Sequence, residues 1–377
     1  MHLLPDSRKK THEHVRAFAR RRLQARIVDL ISRLANYQGP GDRPSVTEAL
    51  MRDGDVGVVL SVLYVPLDEM DLERPYGAPP RGGYFSDIIA ELQVVEDHVA
   101  AHSDEVAIAH SPAELDALIN GGRPVLIHAI EGGFQLGEDE HTVREHVRTL
   151  AERGVAYVTV AHLFWRKVAT NAPALPFLPD WLYHLVFPQP TEGLSPLGHA
   201  AVEAMIDHGI LVDITHMSAR AVEDTFTLLD RQDPDRRIPV IATHMACRFG
   251  KLEYCLPDDT IRQVSERGGV LGCILCEHYI TSGLRGRVSS FEDSVAALCR
   301  HIDRIHDLTG SFDHIAIGSD LDGYIKPALP GLEHMGRMRA LQGSLRERYG
   351  PEHAEKICNG NALRVLRSSW TTAPRDA

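Results

Sequence analysis

Four short apolar segments of the chain each end on a side chain that can bind a metal ion or transfer a proton. They are LIHAIEGG with Glu131, ILVDITHMS with His216, PVIATH with His244 and HIAIGSDLDG with Asp320. In a parallel β/α barrel the chemistry lies at the carboxyl ends of the strands. Four such endings in succession therefore predict a metal-dependent hydrolase with its site at one end of a barrel.

The residue types indicate what each of these side chains could do. A carboxylate at a strand end, as at Glu131, can bridge two cations, and the two glycines after it leave room for ligands. His216 and His244 open consecutive helices after β-branched runs, and neutral imidazoles so placed are common zinc ligands. Asp320 could bind metal or accept a proton from metal-bound water, and His162 could stabilise charge on a substrate carbonyl.

Each residue taken singly also has a structural interpretation. Glu131 could serve the amino terminus of the next helix, and either His216 or His244 could be a capping or core histidine. The arrangement of the four endings, rather than any one of them, favours the metal site.

The chain between these residues alternates between strand and helix patterns. Strand-like runs occur at Val56–Val65, Val125–Ile130, Val155–Ala161, Ile210–Thr215, Val240–Thr243, Gly269–Ile280 and His314–Gly318. Amphipathic stretches occur at Ser86–Ala101, Thr142–Arg153, Pro196–His208, Ala219–Asp230, Pro257–Arg267, Ser290–Thr309 and Pro351–Arg367. This alternation predicts an α/β fold of the (β/α)8 TIM-barrel type. Seven strands are identified where a closed barrel needs eight, so we predict a short or truncated first strand ending near His2.

One barrel domain is predicted for all 377 residues. Its parts are an N-terminal segment with a basic helix (1–55), the main barrel (56–367) and a tail (368–377). Two stretches rich in Pro, Gly and aromatic residues follow strands of the barrel and are predicted to form substrate-pocket loops. They are Leu67–Tyr84 and Ala172–Ser195.

Composition limits the class of partner and the compartment. The formal net charge of −12 argues against binding to nucleic acid or to an anionic membrane surface. No apolar run reaches the roughly 20 residues of a membrane span, and the N-terminus lacks an apolar signal core. We therefore expect a cytoplasmic protein with a small-molecule substrate and reduced cysteines. Whether two copies form a homodimer is left open.

Seven motifs occur in an order that resembles one known family. They are VLSVLYVP, IEGGFQLG, YVTVAH, VDITHMS, ATHMACR, IGSDLDG and NGNALRVL, which together extend from about Val56 to Leu366. The set resembles the membrane (renal) dipeptidase family of the amidohydrolase superfamily. The resemblance implies a β/α barrel and hydrolysis of dipeptides by a metal-bound hydroxide. It also implies two zinc ions per chain, the second of which depends on a metal-binding pair in the first strand.

The resemblance also implies a role for each site residue. Glu131 would bridge the two zinc ions, and His216 and His244 would bind one of them. Asp320 would carry a proton from the nucleophilic water to the leaving amine. His162 would polarise the oxygen of the scissile bond.

Two positions depart from the family's pattern. The family's first strand carries an H-x-D or H-x-H pair that binds the other zinc, and His2 corresponds to the second half of such a pair. The H-x-H formed by His12 and His14 leads into a helix and is interpreted as a coincidence. The family's arginine for the substrate carboxylate is replaced by Tyr254, and Arg248 lies close enough in sequence to substitute for it.

Three functional hypotheses follow from these residues. The first is a zinc-dependent dipeptidase. The second keeps the barrel but changes the substrate to another small amide or a lactone, because a tyrosine at position 254 cannot form a charged bidentate clamp. The third is a catalytically silent barrel that lacks one metal, because the first-strand pair is not intact.

Overall fold

The structure is a computed structural model, and it describes residues 26–27, 44–71, 73–323 and 327–370. The first strand predicted near His2 lies outside these residues. Of the predicted basic helix only Arg26 and Ile27 are described, and both are helical.

The described strands form one parallel sheet that curves around a central cavity. They are β1 (Val58–Leu63), β2 (Ala107–Ala109), β3 (Val125–Glu131), β4 (Tyr157–Thr159), β5 (Leu211–Asp213), β6 (Val240–Met245), β7 (Val270–Ile274) and β8 (Ile315–Gly318). The order is β1-β3-β4-β5-β6-β7-β8, and β2 pairs with the first residues of β3. The predicted α/β class and barrel-like parallel sheet are confirmed.

Each of the seven predicted strand runs overlaps one observed strand, although β3 and β6 extend one and two residues beyond their predicted ends, and two further details differ. The prediction missed β2, whose three residues are too short to show a period. It was also wrong beyond Ile274, because Glu277–Ile280 is helical. The sequence is apolar there because the helix buries the side chains of Tyr279 and Ile280.

The helices lie before, between and after the strands. They are α1 (Glu48–Asp53), α2 (Pro66–Met70), α3 (Gly83–Ala101), α4 (Pro112–Leu118), α5 (Glu140–Glu152), α6 (Asp180–Val186), α7 (Pro196–Asp207), α8 (Ala219–Gln232), α9 (Asp258–Glu266), α10 (Glu277–Ile280), α11 (Phe291–Thr309), α12 (Met338–Glu355) and α13 (Asn361–Ser369). Several begin at a side-chain cap, such as Ser218 on α8 and Ser290 on α11. Among the described helices, none has both the length and the apolar character that crossing a bilayer requires.

The C-terminal helix α13 packs against the amino ends of the strands. Its Val365 and Leu366 are buried in one cluster with Tyr157, Leu211 and Val270, the first residues of β4, β5 and β7. This packing covers the amino end of the barrel with apolar side chains. The carboxyl end, where the polar endings lie, is left for chemistry.

Two glycines let the last three strands approach closely at the carboxyl end. A Cβ atom added at Gly318 of β8 would lie 1.8 Å from the carbonyl oxygen of Thr243 in β6. One added at Gly272 of β7 would lie 2.1 Å from the same oxygen. The positions of β7 and β8 relative to β6 therefore depend on the absence of these side chains.

We predict that Gly318→Ala lowers the free energy of unfolding by about 1–3 kcal/mol or more, because the added methyl group overlaps backbone atoms. Gly343→Ala on α12 is the matched control, since a Cβ atom there meets nothing within 4 Å. The control should be neutral or stabilising by up to about 1 kcal/mol. Urea denaturation measures both, and equal effects of the two changes would contradict the close-approach explanation.

Candidate metal and catalytic site

Five of the side chains singled out in the sequence line the cavity at the carboxyl end of the sheet. They are Glu131, His162, His216, His244 and Asp320. Glu131 is the last residue of β3, His162 and His216 follow β4 and β5, and His244 lies near the end of β6. His2 lies outside the described residues.

Three donor atoms among them converge on one point. The Nε2 atoms of His216 and His244 are 3.0 Å apart. They lie 3.6 and 3.4 Å, respectively, from Oε1 of Glu131. In a tetrahedral zinc site with bonds of 2.0–2.1 Å, donors stand about 3.3 Å apart. The three atoms therefore fit one zinc ion.

The carboxylate of Asp213 fixes the orientation of His244. Thr243 Oγ1 donates its proton to Asp213 Oδ2 at 2.7 Å and lies 3.0 Å from Nδ1 of His244. With its own proton committed, the hydroxyl can only accept, so the imidazole carries its proton on Nδ1. Nε2 then keeps its lone pair for a metal.

Asp213 also ties three strand ends together. It is fully buried and accepts hydrogen bonds from Thr159 at 2.6 Å, from both N–H and Oγ1 of Thr215, and from both N–H and Oγ1 of Thr243. These donors come from β4, the residues after β5, and β6. The sequence analysis missed Asp213, because a carboxylate within an apolar strand gives no sign of which donors surround it.

His216 is suited to bind metal as a neutral imidazole. Burial lowers the pKa of His216 to about 3, so it carries no charge near neutral pH. Its Nδ1 is buried without a hydrogen-bond partner, and its φ of 66° lies in the left-handed region. Such strain in a non-glycine residue is typical of functional sites.

The carboxyl group of Glu131 stays ionised despite its burial. Burial alone would raise its pKa, but the facing imidazoles of His162, His216 and His244 hold the pKa well below the usual range. A buried anion in this position attracts a cation.

His162 is held by a second buried carboxylate. Its Nδ1 lies 2.8 Å from Oε2 of Glu69, and its Nε2 lies 3.5 Å from Oε1 of Glu131. Burial alone would lower the pKa of His162, but these two carboxylates raise it to about 9. At neutral pH both ring nitrogens therefore carry protons, and Nε2–H can donate toward the cavity.

Glu69 was also missed by the sequence analysis. Tyr64 donates to its Oε2 at 2.6 Å, and the N–H of Phe164 donates to its Oε1 at 2.8 Å. It lies in the predicted pocket loop Leu67–Tyr84, but nothing in the local sequence distinguishes it from Asp68. Its burial comes from the tertiary fold alone.

The two aspartates that follow β8 differ in their surroundings. Asp320 lines the cavity with φ of 49°, and a Cβ atom at Gly323 would lie 2.3 Å from its Oδ1. Asp322 accepts hydrogen bonds from the N–H groups of Ser45 and Val46 at 2.8 and 3.0 Å. Asp322 also lines the cavity, but its two hydrogen bonds to backbone N–H groups anchor the described residues before α1.

The two residues predicted to bind a substrate carboxylate lie elsewhere. The hydroxyl of Tyr254 is buried and donates to the carbonyl oxygen of His244 at 2.7 Å. Arg248 donates at 2.7 Å to the carbonyl oxygens of Cys255 and Glu253. Neither side chain lines the cavity.

We expect Thr243→Val to weaken zinc binding by about 10- to 100-fold, because His244 loses the acceptor that fixes its tautomer. The change nearly conserves volume. Thr149→Val, at a half-buried position on α5, is the matched control. Competition with a chromophoric chelator measures the affinity, and an affinity within twofold of the parent would refute this role.

The fold and sequence were compared with those of known proteins. The family model of membrane dipeptidase (peptidase family M19) matches residues 35–375. Dipeptidase verJ of Clonostachys rogersoniana is 22% identical over 324 residues, which cover 84% of this chain and 74% of that protein. Dipeptidase ataJ of Aspergillus terreus is 25% identical over 384 residues, which cover 93% of this chain and 88% of that protein.

One similar solved structure is a metallopeptidase from Rhodobacter sphaeroides bound to a phosphinate mimic of the dipeptide L-Ala-D-Ala. Its TM-score is 0.67 at 20% identity, and the match covers 91% of this chain and 96% of that one. The probable dipeptidase PvdM of Pseudomonas aeruginosa has a TM-score of 0.67 at 19% identity, with 97% and 100% covered. These likenesses agree on the fold.

Proposed function

We propose that this chain hydrolyses dipeptides with zinc held by Glu131, His216 and His244. The chain belongs to the membrane dipeptidase family, whose members are metallopeptidases that hydrolyse dipeptides. The observation that supports the proposal most is the convergence of the three donor atoms within 3.0–3.6 Å of one another. His162 and Asp320 face the same cavity.

Zinc would supply Lewis acidity, lowering the pKa of a water ligand from 15.7 toward about 7. Its donor set would be two imidazole nitrogens and one carboxylate oxygen, a common combination in catalytic zinc sites. We propose that Glu131 and His2 would help to hold a second zinc ion, as the family resemblance implies.

We propose that His162 stabilises the negative charge that develops on the scissile carbonyl oxygen. Because Glu69 accepts the proton on Nδ1, the imidazole ring is fixed with Nε2–H pointing toward Glu131 and the cavity. Such a fixed donor costs no reorganisation when the charge appears, which is the basis of oxyanion stabilisation.

We propose that Asp320 transfers the proton. Its carboxylate would accept a proton from the attacking water as the C–O bond forms, and would then donate it to the amine nitrogen as the C–N bond breaks. Asp320 lines the cavity with its backbone in the left-handed region, and the absence of a side chain at Gly323 leaves room for its carboxylate. A positioned acid–base group of this kind typically contributes 10²- to 10⁴-fold in rate.

A second candidate substrate is a small amide or lactone without a free carboxylate. The observation that favours it is the engagement of Tyr254 and Arg248 with backbone carbonyl oxygens. Neither is then free to clamp a dipeptide's terminal carboxylate.

We expect Asp320→Asn to reduce kcat by about 10²- to 10⁴-fold while zinc content and thermal stability stay near those of the parent. The amide keeps the shape of the carboxylate but cannot accept the proton. Asp207→Asn at the exposed end of α7 is the control and should leave kcat unchanged. Steady-state kinetics with metal analysis measures this, and full turnover by Asp320→Asn would remove the residue from the mechanism.

A substrate panel separates the two candidates. We expect turnover of free dipeptides such as L-Ala-D-Ala, its loss on removal of metal with a chelator, and its return on addition of zinc. N-acylated amino acids and lactones should be poor substrates. Hydrolysis of these compounds but not of free dipeptides would favour the second candidate, and zinc-loaded protein inactive on all of them would favour a silent barrel.

A further inference from the structure

A second cluster of metal-binding side chains lies on the other face of the sheet. Along β3, side chains alternate between faces, so Glu131 points into the cavity while His128 points outward with Leu126 and Ile130. On that outer face His128 meets Glu96 of α3 and His110, the residue after β2.

The donor atoms of this cluster are spaced as zinc ligands are. Nε2 of His110 lies 3.4 Å from Oε1 of Glu96, and Nε2 of His128 lies 3.7 Å from the same oxygen. All three donors lie within 4.8 Å of one another. Donors around tetrahedral zinc stand about 3.3 Å apart, so a small inward movement would complete the site.

Two of these side chains make the additional hydrogen bonds that metal ligands usually make. Nδ1 of His110, the nitrogen away from the cluster, lies 3.3 Å from Oε2 of Glu114. Oε2 of Glu96 accepts from Arg153 at 2.8 Å, which leaves Oε1 facing the imidazoles. Ligating histidines commonly donate their other N–H to a carboxylate, and ligating carboxylates are themselves hydrogen-bonded.

His128 lacks hydrogen-bond partners, which indicates that its ring binds a ligand. It is fully buried, and neither ring nitrogen has a hydrogen-bond partner. Leaving a buried polar group unsatisfied typically costs about 1–3 kcal/mol. Burial lowers the pKa of His128 to about 3, so the ring is neutral and its lone pair is available. A cation bound at Nε2 would satisfy this nitrogen.

We propose that Glu96, His110 and His128 bind one divalent transition-metal ion of the zinc class on the outer face of the sheet, separate from the active site. Imidazole and carboxylate donors suit zinc. The ion would join α3 and β3 to β2, a strand of only three residues. The side chain of His110 is 35% exposed, which gives the ion an entry path and leaves a coordination position for water.

The test is the zinc stoichiometry of the full chain at buffered free zinc. The parent is compared with His110→Ala and with Glu96→Gln. His141→Ala is the matched control, because His141 is an exposed histidine that also pairs with a glutamate four residues later, at 3.5 Å. We expect His110→Ala and Glu96→Gln each to bind one zinc ion fewer per chain than the parent and the control. Dipeptide turnover should be equal in all four proteins.

A variant without two active-site donors tests the outer site separately. In the His216→Ala/His244→Ala chain, which lacks two active-site donors, the outer site should still bind zinc, and adding His110→Ala should lower the zinc content by one further ion per chain. Circular dichroism verifies that each variant is folded. Equal zinc content in the parent, His110→Ala and Glu96→Gln would overturn the proposal. Because turnover is read separately, this failure differs from a failure of the proposed dipeptidase activity.

Discussion

The buried carboxylate of Asp213 is the interaction on which the site depends. It gathers donors from β4, β6 and the residues after β5, and it reaches His244 through the hydroxyl of Thr243. A buried anion is stable only when its hydrogen-bonding capacity is filled. Filling it requires the three strand ends to be in register, so the folding of this part of the barrel and the orientation of His244, a proposed metal ligand, are linked.

A second constraint is the balance of charge in the cavity. Glu131 and Glu69 are buried carboxylates, and His162 lies between them. The two anions keep that imidazole protonated, while burial keeps His216 neutral. The two histidines of one cavity therefore differ in charge because of their surroundings, as the proposed roles of His162 as a hydrogen-bond donor and His216 as a metal ligand require.

The sequence predicted the strands, the fold class and the residues at the strand ends, because these features are local. A buried strand is an apolar run, and the residue that ends it is at the barrel mouth. Glu69 and Asp213 could not be found in this way, since their importance comes from partners such as Phe164 and Thr159 that are distant in the chain. The strand β2 was not predicted for a related reason: its residues are recognisable as a strand only from their pairing with β3.

The proposed function requires that Glu131, His216 and His244 bind a metal ion in an active peptidase. Anomalous diffraction at the zinc absorption edge, on crystals of protein shown to hydrolyse dipeptides, tests it most directly. The account predicts an anomalous peak at about 2.0–2.2 Å from the Nε2 atoms of both histidines and from a carboxylate oxygen of Glu131. Active crystals with no anomalous peak among these three residues would contradict it.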